Sequence, residues 1–136
     1  MPNFIVTCDG GSLGNGTENS EGYGSFLVEM PGQDSRFTSS RGYGQGVTNN
    51  EAEYLALLDA LIHIKTAFES AATDLKTIHI TVRTDSNLII GHLTQGWKVK
   101  PSLLYCVNSA KDLIAVFGSV TFDKISGQRM KEILGH

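Results

Sequence analysis

At Thr48 the hydrophobic period of the chain switches from about two to about 3.6 residues, and this break constrains the fold more than any other feature. Three β-type runs precede it: Asn3 to Cys8, Tyr23 to Met30 and Ser35 to Val47. The first is closed by Asp-Gly-Gly, which reads as a turn, and the glycines from Gly10 to Gly24 read as a flexible loop. The segment TNNEAEYLALLDALIHIKTAFESA then opens with a capping box, Thr48 three residues before Glu51, and sets Leu57, Leu58, Leu61 and Ile64 along one helical face. A strand over Lys76 to Thr84, a short helix after Asp85, a helical segment from about Ser102 to Phe117, a short strand in GSVTFDKI and a helical tail complete the chain. The order β-β-β-α-β-α-β-α predicts an α/β fold with a five-stranded mixed sheet, three antiparallel strands followed by parallel ones, flanked by helices. With 136 residues, a single domain spanning 1–136 is expected.

Charge narrows the function classes. Eleven Lys and Arg against fourteen Asp and Glu give a formal charge of -3, so a polyanionic partner must be met by a local site rather than by the field of the whole chain. Cys8 and Cys106 each sit in an apolar run without metal-ligand spacing, which favours buried reduced thiols. No run approaches the length of a membrane span and no leader is evident, so a cytoplasmic monomer without membrane contact is the expectation.

Three acids fall at the ends of elements. Asp9 follows the first strand, Asp85 follows the fourth, and Glu53 lies in the first turn of the helix between them, on the edge of its apolar stripe. A right-handed crossover would make strands one and four parallel neighbours, bringing Asp9 and Asp85 to one sheet edge with Glu53 leaning over both. Spacing leaves two readings open. Asp and Glu are common turn and cap residues; equally, three converging carboxylates suit Mg²⁺ or Mn²⁺ and phosphoryl chemistry.

The blocks CDGGSLGNG, TNNEAEY and VRTDSNLI, in that order and on those elements, resemble the three catalytic blocks of the ribonuclease HI family, which cuts the RNA strand of RNA–DNA hybrids. The resemblance covers nearly the whole chain, and QGWKVKPSLL is similar to the compact archaeal-type and related bacterial members that lack a basic protrusion. It implies an RNase H-like fold and a metal-dependent endonuclease using two Mg²⁺ or Mn²⁺ ions, leaving 5′-phosphate and 3′-hydroxyl ends. It further implies Asp9, Glu53 and Asp85 as catalytic metal ligands. Substrate contacts are implied at Gly11, Ser12 and Asn15 in the first loop, Asn49 and Asn50 at RNA 2′-hydroxyls, Thr48 at a DNA phosphate, and Asn87 in the groove. Short amides suit a 2′-hydroxyl, which both donates and accepts; capping of the helix start is the competing role for them.

The family's fourth acid is missing. Arg129 matches the arginine of the family's last motif, and seven residues on stands His136, with Glu132 in the asparagine place. His136 is therefore the candidate fourth catalytic and metal-binding residue, with a terminal histidine of no function as the alternative reading. A terminal carboxylate beside the imidazole would restore the missing charge. Asp123 is a second candidate, out of register with the motif, while Asp112 and Glu132 read as exposed helix residues. The family's mobile-loop histidine has no counterpart: His63 falls in the first helix, His79 mid-strand, and His92 after Asp85. Two rival functions stay open, a non-catalytic hybrid-binding module and another nuclease of the superfamily acting on DNA junctions.

Overall fold

The computed structural model describes residues 3–15, 17–34 and 36–135. Strands β1 (Asn3–Leu13), β2 (Glu21–Glu29) and β3 (Arg36–Gln45) form an antiparallel meander. Helix α1 (Asn49–Ser70) follows, then β4 (His79–Thr84), α2 (Asn87–Thr94), α3 (Leu104–Val116), β5 (Ser119–Lys124) and α4 (Gly127–Leu134). The sheet order is β3-β2-β1-β4-β5, with β4 parallel to β1 and β5 parallel to β4. The expected five-stranded mixed sheet flanked by helices is therefore present.

Three boundaries depart from the sequence reading. β1 does not stop at Cys8: Asp9 to Leu13 continue the ladder opposite Ser25 to Glu21, because facing glycines at Gly10↔Gly24 leave the backbone free to pair where composition suggests a turn. The run before β4 begins with a 3₁₀ turn, Leu75–Thr77, capped by Asp74, so the strand starts at His79 rather than at Lys76. His79 accordingly opens its strand and lies at hydrogen-bond distance from Ser119 (Nδ1 to Oγ, 2.7 Å), while β3 ends at Gln45, short of Val47.

The core lies between the sheet and α1. Val6, Cys8, Leu57, Leu61, Ile80 and Val82 are all 2% exposed or less, and burial on this scale is the main source of stability. The capping box at Thr48 and Glu51 is formed as the spacing predicts. Inside the core, Tyr54 lies against the ring of His92 in the last turn of α2, its hydroxyl at hydrogen-bond distance from Nδ1 (2.7 Å); burial and the positive Lys111 lower the His92 pKa and favour its neutral ring. Both cysteines are free and buried, as expected. On the opposite face α4 packs across β1 and β2 through buried Met130. Among the described residues, no helix is long and apolar enough to cross a membrane.

Candidate active site

The parallel ladder fixes the meeting of two acids. β1 and β4 pair from Asn3↔His79 to Thr7↔Arg83, and two residues further the same register sets Asp9 beside Asp85. Glu53 reaches them because α1 sits very close to β1: a side chain on Gly10 would collide with the backbone of Ala52 and Glu53. Glycine here permits the contact that delivers the third carboxylate. Asp9, Glu53 and Asp85 each offer an oxygen within 4.8 Å of the others, and all three are half-buried.

The electrostatics of the cluster favour a cation. Burial pushes the Glu53 carboxyl up to about 7, opposed by a hydrogen bond from the Ser86 hydroxyl and reinforced by the charges of Asp85 and Asp9. Cys8, directly beneath, has its thiol pKa raised by burial and by the same three carboxylates. Asp85 Oδ1 is buried without a hydrogen-bond partner among the described residues, the open ligand position a divalent ion would fill. Hard, convergent oxygen donors fit Mg²⁺ or Mn²⁺.

A polar cavity of about 340 Å³ opens at the start of α1, the turn that precedes Glu53, lined by Asn15, Thr48, Asn49, Asn50, Lys100, Ser102 and Leu103. Two of these amides tie the start of α1 to the first hairpin: Asn49 Oδ1 accepts from the Ser12 backbone at 2.6 Å, and Asn15 Oδ1 accepts from the Asn49 backbone at 2.9 Å. Thr48 is occupied as the helix cap, its hydroxyl accepting from Glu51 N. Gly11 is buried, and the ring of Tyr23 lies where its side chain would be. Asn87 stands apart from this cavity, at the start of α2, its Oδ1 accepting from Lys124 Nζ at 2.6 Å.

Of the predicted residues, Asp9, Glu53 and Asp85 form one cluster, and Asn15, Thr48, Asn49 and Asn50 share one cavity with Ser12 bonded to it. His136 lies outside the described residues. Asp123 is not in the acid cluster: on β5 it pairs with Arg83, two residues short of Asp85, and it lines a different cavity beside α4. Glu132 is paired with Arg129 at 3.2 Å on the surface of α4. Sequence reasoning missed Lys100, Ser102, Tyr23 and Tyr105, whose hydroxyl donates to Glu51 at 3.3 Å. Only Gly10 and Gly11 signalled such close approaches.

A mixed sheet of this order with three acids converging beyond its central strands is an RNase H-like fold with an RNase H-like acidic site. The chain belongs to the reverse-transcriptase-like family, whose model matches residues 8–130. It is similar to the bifunctional protein Rv2228c of Mycobacterium tuberculosis, 29% identical over 126 residues, 92% of this chain and 32% of that protein. It is also similar to ribonuclease H of Saccharomyces cerevisiae, 33% identical over 85 residues, 62% of this chain and 23% of that protein. The chain thus spans a third or less of the length of these curated relatives. Among solved structures, LC11-RNase H1 isolated from compost superposes with a TM-score of 0.79 at 23% identity, covering 97% of this chain and 90% of that one. The same protein in complex with an RNA/DNA hybrid gives 0.75 at 23%, covering 95% and 89%. The resemblance to RNase H domains read from the motifs therefore holds in both sequence and fold.

Proposed function

We propose that the chain is a metal-dependent ribonuclease H that hydrolyses the RNA strand of RNA–DNA hybrids, leaving 5′-phosphate and 3′-hydroxyl ends. The observation that carries this reading is the unpartnered, buried Asp85 Oδ1 within an acidic triad. A hybrid-binding module without chemistry would have no use for three mutually repelling carboxylates in the path of a phosphate. Hybrid rather than duplex DNA is favoured by the amides of Asn49, held by Ser12, and of Asn50 in the same cavity, which suit 2′-hydroxyls. The resemblance to a protein solved with an RNA/DNA hybrid agrees with it.

In this reading Asp9, Glu53 and Asp85 hold two Mg²⁺ or Mn²⁺ ions, which when bound supply an activated water and neutralise the leaving oxygen. Asn49, Asn50, Ser12, Asn15 and the backbone at Gly11 hold the RNA strand. Thr48, with the cation of Lys100 in the same cavity, takes a DNA phosphate. Asn87, fixed by Lys124, borders the groove on the far side of Asp85. His136 takes the fourth ligand place, where an imidazole leaves the cluster one negative charge short.

Three measurements test this reading. Labelled hybrid, double-stranded RNA and duplex DNA are incubated with Mg²⁺, Mn²⁺ or chelator; hybrid alone should be cut, and only with metal. Asp9→Asn should lower cleavage by at least a hundredfold while hybrid still binds, and a loss under tenfold would remove Asp9 from its role. For the fourth place, wild type should work better with Mn²⁺ than with Mg²⁺ at equal low concentration, and His136→Asp should shift the preference back towards Mg²⁺. Identical metal titrations for the two proteins would discard His136 as a ligand.

A further inference from the structure

A second polar cavity, of about 350 Å³, lies between α4 and the ends of β4 and β5, and the reading above leaves it without a role. Its lining is Arg83, Asp123, Lys124, Ile125, Arg129 and Ile133. We propose that this cavity is a phosphate subsite for the nucleic-acid backbone, seating a phosphate that flanks the one placed at the three acids; the proposal rests on the hybrid-nuclease reading.

Charge is the first argument. The chain carries a net -3, yet three of its eleven cations line this one cavity against a single acid, Asp123. Arg83 is half-buried and its side chain makes no hydrogen bond or ion pair with any described residue, although Asp123 is its ladder neighbour. A partly desolvated guanidinium without a partner is a planar fork of donors awaiting an anion, and phosphate matches it. The other two cations are already positioned. Lys124 Nζ is tied to Asn87 Oδ1 at 2.6 Å, and Arg129 is tied to Glu132 at 3.2 Å, so ordering them on binding costs little.

Position is the second argument. Arg83 precedes Asp85 by two residues of extended chain, about 7 Å. The start of α4 abuts the same acid, since a side chain on Gly127 would come within 3.5 Å of Asp85 Oδ2. Phosphates along one strand of a duplex advance about 3.4 Å per nucleotide along the axis. A strand seated at the acids therefore passes Arg83 within about two nucleotides. The cavity with Thr48 and Lys100 lies on the α1 side of the sheet and this one on the α4 side, so the acids stand between two phosphate contacts.

Asp123 decides the kind of anion. With it the lining sums to only +2, a weak trap for a free ion, whereas a phosphate carried by a strand already held at the amides arrives at high effective concentration. Charge-assisted contact of this kind is read by salt. Labelled hybrid is titrated by fluorescence anisotropy in Ca²⁺ buffer at several salt concentrations, and cleavage is measured in parallel with Mg²⁺ or Mn²⁺. Arg83→Gln and Arg129→Gln should each reduce the slope of log affinity against log salt by about one and weaken binding roughly three- to tenfold at about 0.1 M salt. Arg83→Lys should restore most of the slope.

Unchanged slopes in both glutamine variants, with melting temperatures at the wild-type value, would overturn the subsite while leaving cleavage by wild type to support the nuclease reading. Reduced slopes in a wild-type background that binds hybrid but never cuts it would keep the subsite and remove the nuclease. Inorganic phosphate at millimolar concentration is the control for a free-anion site. Saturable shifts of the Arg83 and Arg129 side-chain NMR signals with phosphate, together with unchanged hybrid slopes, would also overturn the proposal.

Discussion

Glu53 is where the chemistry of the site is most exposed to pH. Burial and the neighbouring Asp85 and Asp9 raise its carboxyl from the ordinary 4.5 to about 7, so in metal-free protein near neutrality it is only partly ionised. A group whose folded pKa lies above its unfolded value contributes stability that is fully present below the unfolded value and is lost as pH rises through the folded one. Metal-free protein should therefore melt at progressively lower temperature between about pH 5 and pH 8, and Glu53→Gln should flatten that part of the profile. Saturating Mn²⁺, which binds the ionised form, should raise the melting temperature more at pH 8 than at pH 5. Differential scanning calorimetry with chelator and with metal reads both; equal metal-induced shifts at the two pH values would contradict the assignment. The triad was legible in the sequence because each member terminates or opens an element and chain order alone brings such ends together. The ties between Asn15, Ser12 and Asn49 were not, because they join a hairpin turn to a helix start 34 to 37 residues away, and no periodicity records such a contact.

Among the elements, α1 was the most legible, since capping box and apolar stripe agree, and its C-terminus carries the one conformational flaw. Ala72, just past the C-cap Ala71, has φ +56°, the only non-glycine residue with positive φ among the described residues. Its backbone N–H closes the end of the helix onto Glu69 O at 3.1 Å, a role glycine fills without steric cost. An L-residue there costs about 1 kcal/mol relative to glycine, partly offset by glycine's greater freedom when unfolded. Ala72→Gly should accordingly raise the melting temperature by about 2–4 °C without altering hybrid cleavage; a fall in melting temperature would show that the left-handed turn is no burden. β1 was the least legible strand for a related reason. Glycine removes the side-chain pattern by which a strand is recognised, yet at Gly10 that absence lets α1 settle on the sheet and at Gly11 admits the Tyr23 ring. The residues that erased the strand signal are those that shape the site.

At the scale of the whole molecule, the proposed function requires an acidic chain to bind a polyanion with its own acids at the centre of the contact. The sequence states the difficulty, a net -3 and three acids at element ends, but conceals how the fold manages it, because Arg83, Lys124 and Arg129 are scattered along the chain and gather in one cavity, with Lys100 in another, only in three dimensions. The arrangement predicts an inversion between binding and catalysis. On the proposed reading, the carboxylates of Asp9 and Asp85 repel the backbone phosphate when no divalent metal is bound and oppose the flanking cations; with metal they become part of the attraction. Chelation should therefore weaken hybrid binding by wild type, while Asp9→Asn and Asp85→Asn, inactive in cleavage, should bind hybrid more tightly than wild type in chelator. At separations of several ångströms in a half-buried site, each neutralised charge is worth roughly three- to tenfold in affinity, and the double variant should gain more than either single one. Adding Mg²⁺ or Mn²⁺ should reverse the order, because only wild type then retains a full ligand set. Anisotropy titrations of the four proteins with and without metal read the crossing directly, and an order of affinity that metal leaves unchanged would mean that the acids do not face the phosphate.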